Sequence, residues 1–259
     1  MDIEDARMLE LRLRPRTVCA TLLGAMLLLW IPGATGALGS FSGGVERVLR
    51  QFNFDREGNL AAFWQGLTLL GLSLLGAVIA TDARARGRGR ETLEWAGVAA
   101  VFAFLAVDEA TAIHEALVAP VIGATGASGV LHFAWLIPAF AVLAVLAGLY
   151  LGWYLRLPPR LRLLLTVALV LFLLGAVGGE MVGGVLYESG GEGSTSYRIE
   201  AQLEELFESL GAIVAVRALL GEIARRSPRI LIAVDAAPQA EPRGRNRTAR
   251  ELESTRAPS

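Results

Sequence analysis

Long apolar runs separated by short polar connections dominate this chain, in place of the narrow stripes of an amphipathic soluble helix. Six runs are long enough for the hydrocarbon core of a bilayer, which takes about 20 helical residues. They cover about residues 17–38, 61–80, 93–119, 131–155, 163–187 and 199–220. The predicted fold is all-α, a polytopic bundle of six transmembrane helices. In the connection 39–60, Val45, Val48, Leu49 and Phe52 have helical spacing, which predicts a short helix lying in the interface. Trp64 stands near the start of the second run as an interfacial anchor. From residue 227 the composition turns to Pro, Arg, Glu, Ser and Thr, which predicts a disordered tail with one short apolar patch, Ile230–Val234. The expected organisation is an N-terminal segment 1–16, a membrane domain 17–226 and a tail 227–259.

Composition supports that class, with 54% apolar residues and a mean hydropathy of +0.50. The formal net charge of -1 hides a strong segregation of charge along the chain. Every one of the 24 basic residues is arginine. Arginines crowd segments 1–16, 81–92, 156–162 and 221–259, whereas connections 120–130 and 188–198 hold only Arg198 between them. By the positive-inside rule both termini are cytoplasmic, and the expected location is a bacterial inner membrane. The basic loop with Arg84, Arg86, Arg88 and Arg90 reads as a topology signal, so no nucleic-acid partner is expected. A signal-peptide reading of the first run suffers from Asp2, Glu4, Asp5 and Glu10 in its leader. Cys19 is the only cysteine, so neither an intrachain disulfide nor a paired-cysteine metal knuckle is possible.

Orientation converts position into depth at about 1.5 Å per residue. Asp108 then falls near the midplane of the third run, with His114 and Glu115 about two turns further out. Glu180 falls in the outer third of the fifth run, and Glu200, Glu204, Glu205 and Glu208 in the outer half of the sixth. His132 sits at the outer start of the fourth. On a continuous helix Asp108, Thr111 and Glu115 would share one face, flanked by Glu109 and His114. Glu200, Glu204 and Glu208 form a stripe that Gly211 continues, and Gly175, Gly179 and Gly183 form a small-residue seam bordered by Glu180. Trp135, after His132, reads as part of an interfacial belt.

Carboxylates crowded in a low-dielectric setting cannot all stay ionised alone. Protons, a bound cation or water must compensate them, with Arg47, Arg50, Arg56 and Arg198 available to cover the mouth. The expected site therefore binds a cation through Asp108, His114, Glu115, Glu180, Glu204 and Glu208, with Glu109, His132, Glu205, Asp55 and Glu57 as secondary candidates. A divalent Zn, Fe or Mn ion suits such ligands, and could activate water for hydrolysis within the membrane. The Glu-x-x-His motif of bundle di-iron sites is missing, because Glu109 and His114 stand five apart. Alkaline ceramidase-like hydrolases carry a His-x-x-x-His pair that His114 and His132 do not supply. Two further readings stay open: a proton- or cation-coupled transporter, and a non-catalytic subunit whose polar groups fix helix packing. The expected partners are the bilayer itself and a small-molecule or lipid ligand arriving from the outer side.

Phe54–Asn59 (FDREGN), Val107–Glu115 (VDEATAIHE) and Leu203–Gly211 (LEELFESLG) resemble a pattern in bacterial polytopic membrane proteins of unassigned function. In those proteins an Asp-Glu and a His-Glu share one span, and a late span carries paired Glu. The resemblance implies that connection 39–60 belongs to the same site, with Asp55 and Glu57 at its mouth.

Overall fold

The computed structural model describes residues 14–54, 56 and 58–226, all within one compact unit, Leu11–Pro228. The secondary candidates Asp55 and Glu57 lie outside the described residues, as do segment 1–13 and the tail from 227 with its apolar patch. The described residues are helical, with no strand among them. The helices are α1 (Pro15–Leu38), α2 (Gly43–Leu49), α3 (Leu60–Ala85), α4 (Gly89–Thr111), α5 (Ile113–Thr125), α6 (Leu136–Arg156), α7 (Pro159–Leu173), α8 (Glu180–Gly190) and α9 (Thr195–Arg226). A π-helical turn, Leu174–Gly179, joins α7 to α8 without interruption.

Local sequence accounts for the ends. Pro15 and Pro159 occupy first-turn positions, where the missing N–H would have no partner anyway. Asn59 caps α3 by accepting from the Ala62 amide at 3.0 Å. The short helix predicted in the connection 39–60 is present as α2, followed by the 3₁₀ turn Arg50–Phe52.

Four segments are long and apolar enough to cross a membrane: Pro15–Leu38, Leu60–Ala85, Leu136–Arg156 and Pro159–Gly190. The pair α4 and α5 makes a fifth if taken as one broken span. Leu28, Leu74, Leu149 and Leu163 are among many apolar side chains exposed on these helices, as expected of a surface that meets lipid. The sixth predicted span is α9, which at 32 residues is long enough but carries too many acids and arginines to belong with the others. It instead packs against α1, α3, α7 and α8. Its other face buries Ala212, Ala215, Val216 and Leu219 in the core with Leu69 and Leu72 of α3.

α3 and α4 form the most extensive helix pair, with the Ser73 hydroxyl donating to the Ala99 carbonyl at 2.9 Å. α6 joins through aromatic contacts, Trp153 meeting Trp95 edge-on at 5.1 Å and the Tyr150 hydroxyl donating to the Glu94 carbonyl.

The third predicted span departs most from expectation. It is not one helix: α4 ends at Thr111 and α5 leaves at 79° to it. The break is Ala112, whose φ of 52° makes it the one non-glycine residue with left-handed backbone among those described. The shared face of Asp108, Thr111 and Glu115 is thereby abolished, since the helical register does not cross the break.

Candidate functional site

The break creates the core of the site. Asp108, in the last turn of α4, accepts the backbone N–H of His114 through Oδ1 at 2.9 Å. Its Oδ2 lies 2.9 Å from Nδ1 of the His114 ring. The carboxylate thus caps the first turn of α5, satisfying an amide that has no helical partner. The two side chains are 15% and 27% exposed, so the pair is sheltered but not sealed.

Trp135 lies against this pair. Its ring centroid is 5.2 Å from that of His114, and its Nε1 donates to Glu180 at 3.1 Å. The sequence placed Trp135 in an interfacial belt; the structure makes it the link between His114 and the carboxylate of α8. Glu208, half-buried on α9, lies within electrostatic reach of Glu109, Glu180, His114 and Asp108. His114 in turn feels Asp108, Glu180 and Glu115. Four elements therefore bring carboxylates to one imidazole.

The acid stripe of α9 meets the glycine seam, and they fit because the seam has no side chains. A Cβ on Gly175 would come within 2.6 Å of the Glu204 carbonyl oxygen and of Glu208 Cγ. A Cβ on Gly179 would come within 2.8 Å of Glu204 Cβ, and one on Gly183 within 2.7 Å of Glu200 Oε2. Gly211 continues the stripe against the backbone of Phe172 and Ala168. The π-helical turn carries two of the seam glycines, in keeping with the use of such turns to re-aim a helix face.

Other candidates fall elsewhere. Glu109 rests on α3, its Cγ 3.6 Å from where a Cβ of Gly66 would sit. Glu115 is exposed on α5, past the bend. Glu204 and Glu205 are half-buried on α9. His132 joins a separate pair, its Nδ1 3.0 Å from Glu188 Oε1, which also accepts from the Gly129 amide. Sequence reasoning also passed over Gln65 and Ser209, both fully buried, whose side chains bond at 3.1 Å between α3 and α9.

A metal centre is not supported by this geometry. Among the described residues no group of three or more His, Cys, Asp and Glu side chains is placed to hold a metal ion. The reasons are local: Asp108 and His114 bind each other, Glu180 is tied to Trp135, and Glu115 is exposed.

The family model of a domain of unknown function, DUF8692, matches residues 17–222, a stretch that includes every described residue of the site. No curated protein matches the chain, and no solved structure does. Matched over most of its length, and over the whole of its bundle up to Glu222, the chain belongs to the DUF8692 family.

Proposed function

We propose that this protein spans the bacterial inner membrane with both termini cytoplasmic, and that its acid–imidazole site takes up protons or another small cation from the outer side for coupled transport. The observation that carries this reading is the Asp108–His114 pair at a 79° break between α4 and α5, within reach of Glu208 on the enclosed helix α9. Ionisable groups at membrane depth are costly and mark ion or proton pathways. Irregular backbone is tolerated at that depth where it is buried or lines a cavity, which a broken span at the acids supports. Asp, Glu and His side chains within reach of one another can pass a proton in short steps.

Proton uptake by the purified chain after an external acid jump tests this. The wild type takes up protons that Asp108→Asn and Glu208→Gln each fail to take up, with the fold retained. Uptake unchanged in both variants contradicts the reading. Stoichiometric metal lost in Glu204→Gln/Glu208→Gln would make the site a metal centre instead.

The bonds from Trp135 to Glu180 and from Ser209 to Gln65 favour a second reading, a polar network that fixes helix packing. Under it the same variants lower the melting temperature and leave proton uptake as it was.

A further inference from the structure

A pocket lies on the opposite side of α9 from the acid stripe, between α1, the turn after α2, and the start of α9. Residues 198 and 202 are two positions from 200 and 204, which on an α-helix is about half a revolution away. The pocket is lined from α1 by Gly33 and Gly36, from the turn by Arg50 and Asn53, and from α9 by Arg198 and Gln202, and holds about 530 Å³.

Its charges are not equally committed. Arg50 pairs with Glu46 and Arg56 with Glu192. The Arg198 Nε, by contrast, is buried and makes no hydrogen bond among the described residues. Gln202, one turn further along the helix, is 3% exposed. Its Nε2 donates to Asn53 Oδ1 at 3.0 Å, and its carbonyl oxygen accepts from the Trp30 indole at 2.9 Å. The Trp30 bond is to the backbone carbonyl; the Asn53 bond fixes the side-chain amide, so that Oε1 is its remaining acceptor. Oε1 is buried without a hydrogen bond among the described residues, 3.5 Å from where a Cβ of Gly33 would sit on the pocket wall. A buried donor on a cation and a buried neutral acceptor are each costly to leave unmade.

We propose that this pocket binds an anion that carries its own hydroxyl or ammonium donor, the anionic group on Arg198 and the donor on Gln202. The two anchors are one helical turn apart, about 6 Å along the axis. A glycerol phosphate has that chemistry, an acceptor for a charge-assisted bond beside hydroxyl donors. It occurs free or as the headgroup of phosphatidylglycerol. The inference does not depend on proton uptake at Asp108.

Titration calorimetry on the full chain in phosphatidylcholine nanodiscs, with glycerol 1-phosphate as probe, tests it. Saturable binding is expected, weakened about tenfold or more by Arg198→Gln and by Gln202→Met, as loss of one bond to a buried partner implies. Inorganic phosphate, whose own P–OH cannot span the distance from Arg198 to Gln202, binds about tenfold more weakly. The Arg198 Nε bonds nothing in the described fold, so R198Q keeps its melting temperature and carries the test if Q202M does not fold. Native mass spectrometry from mixed lipids separates the sources. Phosphatidylglycerol retained over phosphatidylcholine and displaced by the probe identifies the headgroup; the probe binding with no lipid preference identifies the free solute. The proposal is overturned by absence of both binding and lipid preference, by R198Q binding like wild type, or by inorganic phosphate binding as tightly as the probe.

Discussion

Asp108 holds His114 at two points, the backbone amide through one carboxylate oxygen and the ring Nδ1 near the other, both at 2.9 Å. One carboxylate thus closes the helix that follows the break and orients the imidazole that faces Glu180. The two roles separate by substitution. Asp108→Ala loses both bonds and lowers stability by about 1–3 kcal/mol, read as a lower melting temperature in detergent. Glu115→Gln, on an exposed side chain, stays within about 0.5 kcal/mol of wild type. Equal losses in the two variants would remove the capping role assigned to Asp108.

The break at Ala112 makes its own prediction. In a continuous helix, Ala112→Gly would cost about 1 kcal/mol. At a φ of 52° glycine is at ease where alanine is strained, so the substitution is neutral or stabilising. Ala112→Val, β-branched at the same φ, lowers the melting temperature. Thermal melts of the two variants side by side decide between a broken span and a straight one.

The seam makes a steric prediction. A Cβ at Gly175 meets a backbone carbonyl at 2.6 Å, and backbone cannot swing aside as a flexible side chain can. Gly175→Ala therefore destabilises by about 1–3 kcal/mol through overpacking. Gly148→Ala, with nothing within 4 Å of its Cβ, stabilises α6 by up to about 1 kcal/mol through helix propensity. Melting temperatures moving in opposite directions for the same chemical change are the expected result.

At the arginine-rich end, Glu222 accepts from Arg226 Nε at 2.5 Å, and the two side chains are 2% and 7% exposed. Arg226 also pairs with Glu91 and lies over the Trp95 ring at 5.8 Å. Glu222→Gln strips the charge from one partner of a buried pair, which costs about 3 kcal/mol. Arg50→Gln, at an exposed pair, costs about 1 kcal/mol or less and is muted by salt. Denaturation at low and high ionic strength distinguishes the two.

Residues that repeat at helical spacing were legible in the sequence. The apolar runs, the glycine seam of α7–α8 and the acid stripe of α9 are all periodic, and the structure lays the seam against the stripe. The break at Ala112 left no mark, because alanine is a strong helix former and neither glycine nor proline flags the position. The side chain of Asp108, reaching forward six residues to the His114 amide, braces it. Trp135–Glu180, His132–Glu188 and Gln65–Ser209 join residues 45, 56 and 144 apart, and no local pattern links such partners. The bend before α5 then breaks the helical register by which linear spacing put Glu115 on one face with Asp108 and Thr111, and Glu115 is exposed. Helix α9 also outruns its apolar stretch, and its last turn, with Glu222, Arg225 and Arg226, belongs to the fold by ion pairs that hydropathy does not register.

Proton flux across liposomes reconstituted with the purified chain, driven by a potassium diffusion potential and followed with an internal pH dye, tests the coupling account most directly. Wild type acidifies the lumen faster than empty liposomes, and both Asp108→Asn and Glu208→Gln return the rate to that of the empty ones while remaining folded. Flux equal in wild type and both variants, or no flux with any solute gradient applied, contradicts it.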